Sequence, residues 1–180
     1  MQLLTFKRTF LIWLVLPIMP LVAQDTFPAI PIRKLASGKI IHRFFDTSPI
    51  SPSGRYAALF RFPSETTSPR PGDAGEVMLV DIKTGKERVV ARSFGFEMQL
   101  GANVQWGDTD EKLYFNDVDT TNWTAFAVQL NPLTGKSRRM GGTVFMVSPD
   151  GKKLASYNLG KSRYAQAGYG VILPAASAPK

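Results

Sequence analysis

The chain contains no cysteine and a single histidine, His42. Without cysteine there is no disulfide framework, no thiolate nucleophile and no lipid-modified cysteine at a cleavage site. One histidine excludes a multi-histidine metal site within these residues. Also missing are a Gly-x-Ser-x-Gly elbow, a His-Glu-x-x-His helix and a phosphate-cradling glycine loop. No convincing helical stripe runs over three turns, and no apolar run reaches the roughly 20 residues that span a bilayer. Cations outnumber anions, 22 Lys and Arg against 14 Asp and Glu, but they are scattered and lack interleaved aromatics. That pattern argues against nucleic acid and reads as solvated strand faces and turns. An anionic carbohydrate or cell-wall polymer suits the charge better.

What is present begins with an export signal. Lys7 and Arg8 precede the apolar run Thr9 to Leu16, and Pro17 and Pro20 end it ahead of Leu21-Val22-Ala23-Gln24. Charged, apolar and small-residue regions in that order make residues 1–23 a signal peptide, cleaved after Ala23, with a periplasmic or secreted product. A retained anchor is the alternative. Losing Lys7 and Arg8 takes the formal charge from +8 to +6, and no stable membrane span is expected after cleavage. Residues 24–41, with Pro28, Pro31 and Ser37-Gly38, read as an extended lead-in.

The rest repeats. Ser51-Pro52-Ser53-Gly54 returns as Ser148-Pro149-Asp150-Gly151, and Trp106-Gly107-Asp108-Thr109-Asp110 fills the same role between them. Asp81-Ile82-Lys83-Thr84-Gly85-Lys86 returns 50 residues later as Asn131-Pro132-Leu133-Thr134-Gly135-Lys136. Proline presets φ, Asp or Ser bonds the backbone and glycine takes positive φ, so each is a turn. Between them lie β-type runs such as Tyr56–Phe62, Val77–Val80 and Leu113–Phe115. A period near 50 residues holding several strands is that of a propeller blade. The expected fold is all-β: a partial β-propeller of two nearly complete four-stranded blades plus the start of a third, at about 42–91, 102–140 and 143–180.

These residues resemble a known repeat. Ser-Pro-Asp-Gly before an apolar strand, with Val80-Asp81-Ile82-Lys83-Thr84-Gly85-Lys86-Glu87, is similar to the TolB-type (PD40) repeat of exported bacterial propellers. Gln99-Leu100-Gly101-Ala102-Asn103-Val104-Gln105-Trp106, Tyr114-Phe115-Asn116-Asp117 and Arg163 before Gly168-Tyr169-Gly170 resemble a group of PD40 proteins distantly related to oligogalacturonate lyases. The resemblance covers about residues 40–172. It implies further blades, so the chain is expected to be an N-terminal fragment, or else to assemble with copies or partners. It does not carry over lyase chemistry, which in that family uses several histidines and a glutamine. Two functions follow as expectations. One is a binding or scaffold module for a protein partner or a cell-envelope glycan, with no cofactor and no metal. The other is the N-terminal part of a carbohydrate-active enzyme whose catalytic residues lie beyond residue 180.

Propeller connectivity puts short turns on one face and longer loops on the other, and the long-loop face is where binding is expected. Gln99, Gln105, Asn116 and Asp117 offer amides and a carboxylate near the channel, for sugar hydroxyls or an ion; alternatively they bond loop backbone. Phe94, Phe96, Trp123, Tyr164 and Tyr169 stack on sugar rings or pack blades. Arg163 clamps a carboxylate, or pairs with Asp117. Asp117-Val118-Asp119 has two carboxylates but lacks the rest of a calcium loop.

Overall fold

The computed structural model describes residues 30–177, so the expected signal peptide lies outside the described residues. Strands β1 (Ile40–Ile41), β2 (Tyr56–Arg61), β3 (Gly75–Asp81) and β4 (Glu87–Ser93) form one antiparallel sheet in chain order. Strands β5 (Gln105–Trp106), β6 (Leu113–Asp119), β7 (Thr124–Leu130) and β8 (Ser137–Arg139) form a second sheet of the same design. A third, two-stranded sheet pairs β9 (Met146–Val147) with β10 (Leu154–Ala155). The chain is thus mostly β, built from repeated antiparallel sheets, none of which closes on itself.

The turns behave as their residues dictate. Gly54 and Gly151 sit at φ +77° and +66°, each N–H returning to the carbonyl of Ser51 or Ser148 at 2.8 Å. Those two turns flank the one between β5 and β6. Ser53 donates to Asp110 through its N–H (3.1 Å) and its Oγ (2.5 Å), and a Cβ on Gly151 would meet Asp108 Oδ1 at 2.6 Å. Corresponding turns of all three sheets therefore lie side by side at one end.

Alternation along the strands sorts the core. Ala58, Phe60 and Phe62 of the first sheet, with Val77 and Leu79, face Leu113, Phe115, Leu130 and Trp106 of the second. Phe60 is the pivot, its ring centroid 5.0 Å from Phe96 and 5.4 Å from Phe62. Fully burying one such ring stabilises by about 1.5–3 kcal/mol. The opposite face of the second sheet sends Tyr114 and Ala127 against Val144 and Val147. One residue step separates Leu113 from Tyr114, and it decides which neighbouring sheet each touches.

Two features depart from the expected boundaries. β1 lies inside the stretch read as lead-in: Ile40 pairs with Arg61 and Ile41 with Phe60. The chain then leaves the sheet and returns at Ile50, which bridges to Ala57. Residues 42–48 form an excursion that carries Arg43 into the interior. After β10, helix α1 (Leu159–Ala165) and the 3-10 turn η1 (Ala175–Ser177) stand where the first two sheets have their third and fourth strands. The composition explains this. From Ser148 to Gly170 there is no valine, isoleucine or threonine to favour a strand, while Asn158 caps the helix by accepting from Lys161 N–H at 3.0 Å. Leu159, 1% exposed, anchors it.

A candidate binding cleft

The side chains proposed from sequence fall into three places. Gln105 and Asn116 are 2% and 1% exposed and join sheets together. Asn116 donates through Nδ2 to Val144 O (2.8 Å) and accepts at Oδ1 from Val144 N–H (2.7 Å). Gln105 donates through Nε2 to Phe145 O (3.1 Å) and Asn103 O (3.2 Å), and accepts at Oε1 from Val147 N–H (2.9 Å). Each amide substitutes for a peptide group and ties the segment 144–147, which leads into β9, to the second sheet. Their polar atoms are occupied by backbone, so the sugar or ion role gives way to a structural one. Asp117 is engaged as well: Oδ1 accepts from Phe94 N–H and Val118 N–H, both at 2.8 Å. Burial raises its carboxyl above the ordinary value, opposed by those N–H donors.

Sequence reading missed the polar chain at the centre. Glu97, 1% exposed, accepts from Asn103 Nδ2 at 3.0 Å and from the N–H of Gly170. Asn103 Oδ1 accepts from Arg43 Nη1 at 3.2 Å; the same guanidinium reaches Phe145 O and pairs with Asp46 at 2.7 Å. Burial raises Glu97 above its ordinary value, against the pull of Gly170, Asn103 and Arg43. Burial lowers the neighbouring His42, and Arg43 lowers it further. The one available signal was Asn103 itself, an amide side chain in a stretch where the backbone turns left-handed at φ +55°. Arg43 gave none, being one of many scattered cations.

Gln99, Arg163 and Tyr169 are brought close to one another. Arg163 and Tyr169 line a recess of about 240 Å³ with Met98 and Gly168, and a Cβ on Gly168 would meet Gln99 Nε2 at 2.8 Å. Arg163 donates to Leu173 O and stacks beside Tyr164, 5.5 Å from its centroid; it does not pair with Asp117. Phe96 lies in the core, not on a binding face.

Trp123 stands apart, at the mouth of a larger cleft. Three hairpin turns share one geometry. Gly85 N–H returns to Asp81 O (2.7 Å), Gly135 N–H to Asn131 O (2.9 Å) and Trp123 N–H to Asp119 O (2.7 Å). In each, an Asp or Asn oxygen accepts an inner N–H, and the closing residue is left-handed: φ +73°, +78° and +59°. Two of the turns use glycine there. The third holds a tryptophan at a conformation costing about 1–3 kcal/mol for a bulky side chain. The ring packs beside Val118, Leu159, Val171 and Leu173. It also lines a cleft of about 400 Å³ with Gly142, Thr143, Asn158, Lys161 and Ser177. A Cβ at Gly142 would meet nothing within 4 Å, so that wall is open. Thr143 Oγ1 is fixed by Ser156 Oγ at 2.8 Å, and Lys161 presents an exposed ammonium. By connectivity the cleft belongs to the long-loop end of the second sheet, opposite its turns at 107–112 and 131–136.

Among the described residues no group of three or more His, Cys, Asp or Glu is placed to hold a metal ion, and no helix is long and apolar enough to cross a membrane. Compared with family models, curated proteins and solved structures, the chain matches none.

Proposed function

We propose that this chain is a saccharide-binding module of an exported, propeller-type protein of the TolB/PD40 kind, working in the periplasm or outside the cell without catalysing a reaction. The observation that carries the reading is Trp123. A tryptophan held at φ +59°, where two equivalent turns use glycine, keeps a costly side chain at the edge of an open cleft. An indole beside hydroxyl, amide and ammonium groups suits a sugar ring, which stacks its apolar face and hydrogen-bonds around its rim. The cleft volume of about 400 Å³ falls within the usual range for small-molecule sites. The stacked sheets supply a rigid base, and loops supply the ligand groups.

The test is affinity electrophoresis or calorimetry of the full chain with N-acetylglucosamine oligomers and muropeptides. Native protein should bind one of these, and Trp123→Ala and Trp123→Gly should lose binding while keeping the native circular dichroism. Equal binding by folded Trp123→Gly would refute the assignment. A native chain that binds no saccharide but captures an envelope protein through this face would replace it with the protein-partner reading.

A further inference from the structure

A second groove lies at the turn end of the second sheet, about 340 Å³ in volume. Its cationic wall is built from the interior outward. Tyr114, 3% exposed, accepts at its hydroxyl from Gln129 Nε2 at 2.8 Å. Gln129 Oε1 in turn accepts from Arg138 Nε at 2.5 Å. A buried phenol thus orients an amide, and the amide orients a guanidinium whose Nη edge is left for the groove. Lys136, just before β8 and two residues ahead of Arg138, also lines the groove. Among the described residues no carboxylate pairs with either cation, whereas Lys112 is neutralised by Asp108 at 2.9 Å. Arg139 points the other way, over the Phe126 ring at 3.8 Å and towards Asp119 at 3.6 Å. Glu111 also lines the groove and sets a limit on how much negative charge it accepts.

We propose that this groove binds the carboxylate or sulfate groups of an acidic polysaccharide, with Arg138 as the two-pronged anchor and Lys136 as the second charge. A fixed guanidinium fork matches both oxyanions, and fixing Nε beforehand removes part of the ordering cost. Cations on an edge strand also deter strand pairing, but that role asks only for charge, not for the Tyr114–Gln129 relay.

The relay is what the experiment reads. The proposal deepens the saccharide reading, and its outcome is separable from that of the Trp123 cleft. The full chain is titrated with alginate, dextran sulfate and neutral dextran at two salt concentrations. Native protein should bind alginate or dextran sulfate, more weakly at high salt, and neutral dextran not at this groove. Whichever polymer binds names the oxyanion. Arg138→Lys should weaken binding about tenfold with charge unchanged, and Gln129→Leu several-fold. Lys83→Gln, which removes an exposed cation from a different turn, should change little, and Trp123→Ala should leave acidic-polymer binding intact. Native-like affinity in both Arg138→Lys and Gln129→Leu, or equal loss in Lys83→Gln and Lys136→Gln, would overturn the site in favour of diffuse charge attraction. Failure of both acidic polymers to bind would also overturn it, whatever the result at Trp123.

Discussion

Replacing Asn116 by leucine isolates the inter-sheet tie. The substitution keeps the side chain's approximate size at a position 1% exposed and removes the amide that serves both polar groups of Val144. Val144 is itself 0% exposed, so its N–H and C=O lose their partners without gaining water. Each orphaned buried group costs about 1–3 kcal/mol, giving a gross loss of roughly 2–6 kcal/mol. The leucine recovers part of this by burying apolar surface, up to about 1.5–3 kcal/mol. A net loss of about 2 kcal/mol is a large share of the 5–15 kcal/mol that holds a typical domain folded. Urea unfolding measures the loss, and hydrogen exchange locates it: protection should fall first at 143–157. Gln105→Leu should act on the same 144–147 segment, so the double variant should lose less than the sum of the singles. If Asn116→Leu is as stable as native and the Val144 amide stays protected, the tie does not hold the sheets together.

Other perturbations follow from the same geometry. Trp123→Gly should be more stable than Trp123→Ala by about 1–2 kcal/mol, because both lose the ring but only glycine relieves the left-handed backbone; equal denaturation midpoints would contradict the strain. Gly75→Ala would place a Cβ 2.1 Å from Phe60 Cζ, so a loss of about 1–3 kcal/mol is expected by thermal melting, and a neutral result would mean that Phe60 is free to move. Glu97 has a folded-state pKa raised above its ordinary 4.5, so it binds protons more readily folded than unfolded. Its contribution to stability therefore falls as pH rises from about 4.5 through the folded value. Melting temperatures of native and Glu97→Gln proteins should differ more in favour of native at pH 4 than at pH 7, and the reverse order would refute the assignment.

The parts of the fold visible in the sequence were those set by local chemistry. Ser51–Gly54, Asp81–Lys86, Asn131–Lys136 and Ser148–Gly151 each specify a turn through their own side chains, and the β-type runs at 56–62, 77–80 and 113–115 mark β2, β3 and β6. What stayed hidden depends on partners far along the chain. Nothing near Asn116 announces that it will bond Val144, 28 residues away, and nothing near Arg43 announces Phe145. Asn116 and Gln105 read as ligand groups because an amide that bonds backbone and one that bonds sugar look alike in sequence. β1 escaped notice because a two-residue strand interrupted by an excursion has no period to detect. Trp123 is visible as an aromatic candidate, but its significance rests on the backbone return and left-handed φ that its turn shares with two glycine turns, a likeness that the sequence Asp-Thr-Thr-Asn-Trp conceals.

The Trp123 cleft is tested most directly by the indole N–H resonances of the full chain, assigned by substituting each tryptophan in turn. On addition of a binding oligosaccharide, the Trp123 signal should shift in a saturable way. Trp106, whose Nε1 donates to Pro49 O at 2.8 Å in the interior, should stay in place. A saturable saccharide titration that leaves the Trp123 signal unmoved would show that the sugar binds elsewhere and that the strained tryptophan serves the fold alone.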